Sequence, residues 1–259
     1  MAELSVVSPD GTVVGYERTG QGPGLVLVHG ASADHNRWQP VLPALAEHFT
    51  VDAVDRRGRG LSTAENPAYD IAREAEDVAA VVAAAGPDVT LLGHSYGALC
   101  VLRAAALTDQ VGRIVLYEPP IPTPGHHIVD PPVLAQLRAA VEAGDREAML
   151  EIFLRHVALQ TDEDIAMLRR SPAWTGRLAA APTIARELVF VAGFEIDDAL
   201  AQITVPVRML LGAESAEYIK AATHAVLDRL PHGRLRPLLG QGHLCMDGDP
   251  EQFVAAVLE

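Results

Sequence analysis

Residues 89–107 read VTLLGHSYGALCVLRAAAL: a short apolar run, a serine between two glycines, and a helical pattern from residue 98. The central pentapeptide, residues 93–97, matches G-x-S-x-G between a predicted strand and a predicted helix. A turn this sharp leaves no room for side chains around the serine, so the hydroxyl projects from the sheet edge. The helix N-terminus behind it favours developing negative charge. The pattern predicts that Ser95 is a nucleophile; the alternative is a plain glycine-rich turn.

The rest of the chain repeats this alternation of strand and helix. Short apolar runs, which are typical of parallel strands buried on both faces, lie at residues 25–28, 50–54, 114–117 and 207–211. Helical patterns lie at residues 71–85, 216–230 and 250–258, and the first 20 residues favour a hairpin that turns at residues 9–11. Strands that alternate with helices predict right-handed βαβ units and a mostly parallel sheet with helices on its flanks.

Residues 119–199 break the alternation, because several helical patterns follow one another there with no strand between them. One apolar stripe, Val133, Leu134, Leu137 and Val141, is closed by Gly144, and Asp145 is a predicted N-cap for the next helix. We expect a helical lid at 119–199, inserted into a core made of residues 1–118 and 200–259. The alternative is a separate helical domain with no part in the site.

Composition and charge exclude several classes of protein. The 259 residues are 49% hydrophobic and 21% charged, which suits one α/β domain with an insertion and no need for disulfides or structural metal. A formal net charge of −14 disfavours binding to nucleic acid and to anionic membranes. A small-molecule substrate is therefore the expected partner; the oligomeric state is not predicted.

Targeting and cofactor signals are missing from the sequence. No apolar run is long enough to span a bilayer, and the N-terminus lacks the pattern of a secretory signal, so we expect a cytoplasmic protein with Cys100 and Cys245 as free thiols. The adjacent His126 and His127 have no third ligand in view, and no nucleotide-binding motif is present. We therefore expect neither a metal nor a cofactor.

Two loops that follow predicted strands add to the candidate site. His29-Gly30-Ala31 follows the strand at 25–28, and backbone N–H groups are needed where an oxyanion develops. We predict the N–H groups of Ala31 and Tyr96 as the oxyanion hole; the alternative is an ordinary β-turn. Residues 55–62, DRRGRGLS, are predicted to brace the site. In a second interpretation, Arg57 or Arg59 of that loop binds an anionic substrate.

His243 is the predicted general base. It follows Gln241-Gly242 after the last strand-like run, residues 234–239. An imidazole titrates close to neutral pH and can accept the proton of a serine hydroxyl. The position after the final strand distinguishes His243 from the other histidines.

Together, the strand order, the HG loop, DRRGRGLS, GHSYG and GQGH resemble the α/β-hydrolase superfamily over nearly the whole chain. The resemblance implies an acid as third member of a triad. Ser215 stands where that acid is usual, with Glu214 beside it. Glu118, after the strand at 114–117, matches the position used by haloalkane dehalogenases and zearalenone-lactone hydrolases, and is our predicted acid. Glu214 and Asp247 remain alternatives.

The expected function is that of a serine hydrolase, which cleaves a carboxylic ester or lactone of a mostly apolar small molecule through an acyl-enzyme. Apolar residues of the lid favour such a substrate, namely Ile121, Leu134, Phe153, Trp174 and Phe190. Relatives with an aspartate nucleophile are excluded by Ser95. Two alternatives stay open: a non-hydrolytic enzyme such as an acyltransferase, lyase or cyclase, and a ligand receptor.

Overall fold

An eight-stranded sheet forms the centre of the computed structural model, which describes residues 1–63 and 69–259. The strands are β1 (Ala2–Val7), β2 (Val13–Gly20), β3 (Gly24–Val28), β4 (Thr50–Val54), β5 (Val89–His94), β6 (Val111–Tyr117), β7 (Val207–Gly212) and β8 (Gly233–Leu238). Their order across the sheet is β1-β2-β4-β3-β5-β6-β7-β8. The pairs β1–β2 and β2–β4 are antiparallel and the others are parallel. The mostly parallel sheet and the N-terminal hairpin are thus confirmed.

Helices cover the sheet and follow most of its strands. They are α1 (Leu42–Ala46), α2 (Ile71–Ala85), α3 (Tyr96–Ala104), α4 (Pro131–Ala143), α5 (Arg146–His156), α6 (Asp162–Arg170), α7 (Trp174–Ala180), α8 (Ile184–Ala192), α9 (Glu217–Leu227), α10 (Cys245–Gly248) and α11 (Pro250–Leu258). The start of α3 differs from the predicted residue 98, because Ser95 is its N-cap and the helix begins directly at Tyr96.

The sheet is buried on both faces, which explains the unbroken apolar runs in its strands. Side chains that follow one another along β3 belong to different hydrophobic clusters: Val26 and Val28 to one, Leu25 and Leu27 to the other. Successive residues of a strand point to opposite faces of the sheet. The first cluster includes residues of α2, α3, α9 and the inserted helices, and the second includes residues of α1 and α11. Because β3, β5, β6 and β7 are parallel, they all end at the same edge of this buried sheet.

Helices α4–α8, here called the inserted helices, lie between β6 and β7 in the chain. Gly144 ends α4 in a left-handed conformation, and the Asp145 side chain accepts a hydrogen bond from the N–H of Ala148 at the start of α5. The predicted stripe on α4 is wrong at Val141, which is 42% exposed. Ala140 is buried instead. The lid role and the limits of the two regions stay predictions.

Candidate active site

The turn between β5 and α3 holds Ser95 in a backbone conformation that few residues adopt. Its φ is 54° and its ψ −123°, and its N–H donates a hydrogen bond of 2.8 Å to the carbonyl of Tyr117. A Cβ at Gly93 would lie 2.6 Å from the carbonyl oxygen of Gly97, and one at Gly97 would lie 2.2 Å from that of Val28. Both glycines of the G-x-S-x-G motif are therefore required, because backbone atoms fill the space of a side chain.

Glu118 is the carboxylate that contacts His243. Nδ1 of His243 lies 2.6 Å from Oε2 of the fully buried Glu118. The other oxygen, Oε1, accepts hydrogen bonds from the N–H of Gly212 (2.7 Å) and from the hydroxyl of Ser215 (2.6 Å). Ser215, which stands where the superfamily resemblance puts the acid, is thus a donor to Glu118. These bonds hold one carboxylate oxygen and leave the other for the imidazole.

The two other acids that the sequence left open lie elsewhere. Glu214 is exposed, and its N–H donates to the carbonyl of Gln241. Asp247 lies 2.7 Å from Nη1 of Arg37. Glu118 is therefore the only one of the three candidate acids that forms a hydrogen bond with His243, within the part of the chain that the structure describes.

The loop that carries His243 is fixed by two neighbouring rings. The Tyr117 hydroxyl donates to the carbonyl of Gly242 and accepts from the N–H of Cys245 (3.2 Å). Nε2 of His94 lies 3.1 Å from the carbonyl oxygen of His243, to which it donates. Burial and the neighbouring His243 lower the pKa of His94 far below its ordinary value, so this ring is neutral. Both contacts restrain the His243 backbone without occupying its imidazole.

Ala31 follows Gly30 in a loop that touches the Ser95 turn. A Cβ at Gly30 would lie 3.0 Å from the Cβ of Ser95. The Gly30 carbonyl accepts from Nδ1 of His29 (2.8 Å) and from Nη1 of Arg56 (3.1 Å). Because the C=O and N–H of a trans peptide point in opposite directions, these two bonds also orient the N–H of Ala31. The N–H of Ala31, the predicted oxyanion donor, is thus held in place through the carbonyl on the opposite side of its peptide group.

A buried cluster of charges lies behind this loop. Nε and Nη2 of Arg56 donate to both oxygens of Glu74 (2.6 and 2.7 Å), and Nη2 also donates to Glu187 (2.6 Å). Nη2 of Arg59 donates to the same Glu187 oxygen at 2.5 Å. The Arg56 guanidinium also lies 4.4 Å from the centre of the Tyr96 ring. Since Glu187 belongs to α8, the cluster ties an inserted helix to the residues around Ser95.

The loop 55–62 has structural contacts. Arg57 is paired with Asp77 (2.7 Å) and Asp10 (2.8 Å), and Arg59 with Glu187. Asp55 accepts hydrogen bonds from the N–H groups of His35 and Leu61. The second interpretation of Arg57 and Arg59 is therefore not supported, because existing carboxylates already pair with both guanidinium groups.

Two cavities meet at Ser95. Ala31, Ser95, Phe153, Ala158 and His243 line both of them. The first has a volume of about 40 Å³ and the second of about 30 Å³. Apolar side chains complete the second, among them Ile128, Val157, Ile184, Leu188 and Val191. Most of its lining residues lie between positions 119 and 199, on the inserted helices and the loops beside them.

Polar side chains complete the first cavity: His94, Arg37, Arg177 and Gln160. The two arginines carry no signal in the sequence. Arg37 lies seven residues beyond the HG loop in a 3-10 turn, and Arg177 lies on α7, a short helix that contains a glycine and follows Ser171-Pro172. Of the five apolar lid residues that favoured an apolar substrate, Phe153 alone lines either cavity in the described part of the chain. Trp174 instead packs under Arg169, and Phe190 against Tyr69.

Residues 25–256 match the model of the alpha/beta hydrolase family. The chain belongs to that family. This α/β-hydrolase is 32% identical to an alpha/beta hydrolase from Sphaerobacter thermophilus DSM 20745, whose crystal structure superposes with a TM-score of 0.83 over 98% of this chain and 99% of the other. An esterase from Rhodococcus sp. ECU1013 is 29% identical, with a TM-score of 0.82 over 100% and 98% of the two chains.

A curated relative has similar length. The pimeloyl-[acyl-carrier protein] methyl ester esterase of Aeromonas hydrophila is 29% identical over 257 residues, which cover 94% of this α/β-hydrolase and 97% of the relative. The relatives support a hydrolase. Residues 1–63 and 69–259 contain no group of three His, Cys, Asp or Glu side chains placed to hold a metal ion, and no helix in these ranges could cross a membrane.

Proposed function

We propose that this α/β-hydrolase cleaves a carboxylic ester through an acyl-enzyme formed on Ser95. The observation that carries the proposal is the hydrogen bond of 2.6 Å between His243 and Glu118, in a site where His243 and Ser95 line the same two cavities. A buried carboxylate that holds one imidazole nitrogen leaves the other free to act as a base. The names of the Aeromonas and Rhodococcus relatives support ester hydrolysis.

The reaction starts when Nε2 of His243 takes the Ser95 proton and the Ser95 oxygen attacks the ester carbonyl. The N–H groups of Ala31 and Tyr96 stabilise the oxyanion, and Glu118 stabilises the imidazolium. The C–O bond to the alcohol then breaks, and His243 returns its proton to the leaving alkoxide. A water molecule activated by His243 attacks the acyl-enzyme, which releases the carboxylic acid and restores Ser95.

The substrate is a small ester whose apolar part occupies the second cavity, between Phe153 and the side chains of α8. A lactone presents the same carbonyl and belongs to the same class. Most residues of that wall lie between positions 119 and 199, which supports a role of this insertion as a lid. Cavities of about 40 and 30 Å³ hold only a few atoms each, so the inserted helices move apart when an ester enters.

The decisive test is Ser95→Ala assayed with p-nitrophenyl butyrate. We expect the variant to fold as the wild type does and to lose turnover by a factor of at least about 10³. A fluorophosphonate probe should label the wild type at Ser95 and leave the variant unlabelled. Turnover of the variant at the wild-type rate would contradict the proposal. Hydrolysis in heavy-oxygen water separates this reaction from acyl transfer, lyase and cyclase chemistry, since only hydrolysis puts the label into the released acid.

A matched pair of variants tests which residue is the acid of the triad. Glu118→Gln keeps the shape of the side chain and removes its charge, so we expect kcat to fall by about 10²–10⁴. Glu214→Gln makes the same chemical change on an exposed side chain and should leave kcat within about twofold. A small effect at 118 together with a large effect at 214 would reverse the assignment.

A further inference from the structure

Five arginines are buried in the described part of the chain, and they differ in their partners. Four have a carboxylate oxygen within 4.0 Å: Arg37, Arg56, Arg57 and Arg59. Arg177, which is 5% exposed, forms no ion pair with any residue in the ranges 1–63 and 69–259. A buried charge without a counter-ion is costly unless something supplies one.

Arg37 and Arg177 also have donors to spare. Nη1 of Arg177 donates to the carbonyl of Ser32 (3.3 Å), but its Nε has no hydrogen-bond partner among the described residues. Nε and Nη2 of Arg37 likewise have none there, although Nη1 lies against Asp247. Both arginines are at least nine-tenths buried. Buried donors are almost always satisfied in folded proteins, so these nitrogens indicate a ligand.

The spare donors lie at the active site. Arg37 and Arg177 line the first cavity together with Ser95 and His243. Burial and the charge of Arg37 lower the pKa of Arg177 to about 10, which leaves its guanidinium protonated at neutral pH. The charges of Asp247 and Asp34 act against this lowering, but neither carboxylate forms an ion pair with Arg177 among the described residues; Asp247 pairs with Arg37, and Oδ1 of Asp34 accepts from the N–H of Asn36.

We propose that Arg37 and Arg177 bind a carboxylate group of the substrate. The inference rests on the proposed ester hydrolysis and names its substrate class: a short ester that carries a free carboxylate on one side of the scissile bond and an apolar group on the other. Guanidinium groups match the planar, two-oxygen geometry of a carboxylate. A cavity of about 40 Å³ has room for the carboxylate group, since one water needs roughly 10–15 Å³.

The two arginines come from different parts of the fold. Arg37 belongs to the core loop after β3, and Arg177 belongs to α7 of the inserted helices. A carboxylate held by both would join these helices to the core next to Ser95. Binding of the substrate would thus close the site over the ester bond.

Matched probes test the proposal. Monomethyl glutarate carries its carboxylate on the acyl side, and O-butyrylglycolate carries it on the alcohol side; each is compared with its primary amide by acid release in a pH-stat. We expect kcat/KM for at least one carboxylate to exceed that for its amide by about tenfold or more. In Arg177→Met the ratio should fall to about one, and in Arg177→Lys part of it should return.

Arg170→Met is the matched control, because Arg170 is an exposed arginine at the end of α6 and the variant removes the same charge. Its ratio should equal that of the wild type. Equal or better turnover of both amides by the wild type, or a carboxylate preference that survives in Arg177→Met, would overturn the proposal.

Failure of the proposed ester hydrolysis can be distinguished from failure of the proposed carboxylate site. If the wild type hydrolyses none of the four probes, calorimetry of glutarate binding to Ser95→Ala tests the carboxylate site directly. Binding that Arg177→Met abolishes and Arg170→Met retains supports the site. Absence of binding, or binding that is unchanged in Arg177→Met, overturns it.

Discussion

Two groups of buried arginines join the core to the inserted helices, and they differ in how many carboxylates they meet. Arg56 and Arg59 share Glu187 of α8, and Arg56 also binds Glu74. Arg37 and Arg177 lie beside the same catalytic serine, yet Arg177 has no ion pair among the described residues. The difference indicates that an arginine surrounded by protein carboxylates builds the scaffold, whereas one whose spare donors line a cavity beside Ser95 is available to a ligand.

The ion pairs around Arg56 also shift the pKa values of the residues that form them. Burial works against the charge of Arg56, but Glu187 and Glu74 outweigh it and hold the pKa of the guanidinium well above its ordinary value. Burial would likewise raise the pKa of Glu74, but the charge and hydrogen bonds of Arg56 lower it to about 2. These groups therefore stay charged throughout the neutral range.

The largest expected effect is that of Arg56→Met on stability. The variant leaves Glu74 and Glu187 buried without their main partner, and breaking a buried pair in this way costs about 3–5 kcal/mol. Urea unfolding measures the loss. Arg103→Met is the control, because that arginine is 31% exposed and its partner Asp197 is 42% exposed. Equal losses for the two variants would remove the distinction between the arginine groups.

Glu187→Gln should have the next largest effect. The amide keeps the shape but not the charge, so Arg59 loses its ion pair and Arg56 one of two; we expect a loss of about 1–3 kcal/mol. Hydrogen exchange should rise in α8 (Ile184–Ala192) more than in α11. Unchanged protection in α8 would show that Glu187 does not hold this helix.

Low pH should weaken the ion pair between Arg56 and Glu74 in a defined pH range. The pKa of Glu74 lies near 2 in the folded state and near 4.5 when unperturbed, so the unfolded chain binds the extra proton. The stabilisation is fully present above pH 4.5 and is lost as the pH falls towards 2, by about 2–3 kcal/mol. Urea unfolding of wild type and Glu74→Gln from pH 5 to pH 2.5 measures it. Parallel curves for the two proteins would contradict the expected linkage.

The smallest effect is expected for Arg177→Met. Arg177 is a buried charge with no ion pair within 4.0 Å among the described residues, so its removal should change the free energy of unfolding by less than about 1 kcal/mol, and an increase is the favoured sign. Urea unfolding without ligand provides the value. A loss as large as that of Arg56→Met would mean that Arg177 is structural.

The fold and the Ser95 turn could be predicted from sequence because their causes are local. Strands such as β3 are buried on both faces and so are apolar throughout, and the turn needs Gly93 and Gly97 because backbone atoms occupy the Cβ positions. Glu118 was predicted from a resemblance. Its contact with His243 depends on the pairing of β6 with β7, which brings Gly212 to the same carboxylate.

The arginines of the cavity could not be predicted because their property is non-local. Arg37, Arg57 and Arg177 are one residue type, and only the folded chain shows which of them meet carboxylates. The sequence offered Arg57 or Arg59 as a second interpretation for binding an anion, since these lie in a recognisable loop. Both pair with carboxylates of the protein, although Nε and Nη1 of Arg59 have no hydrogen-bond partner among the described residues. The spare donors that line the first cavity belong to Arg37 and Arg177, which lie outside any motif.

The ion pairs that Glu187 forms have a consequence for how substrate enters the site. Two core arginines hold α8 at this residue, whereas the ion pairs of α5 and α6 that Arg155 and Arg169 make are exposed and connect these two helices mainly to each other. Under the proposed lid role, we expect the end of the insertion near α8 to stay on the core as a hinge while α4–α6 swing when substrate enters. If that swing limits turnover, the rate should fall as solvent viscosity rises, while the chemistry at Ser95 stays unchanged.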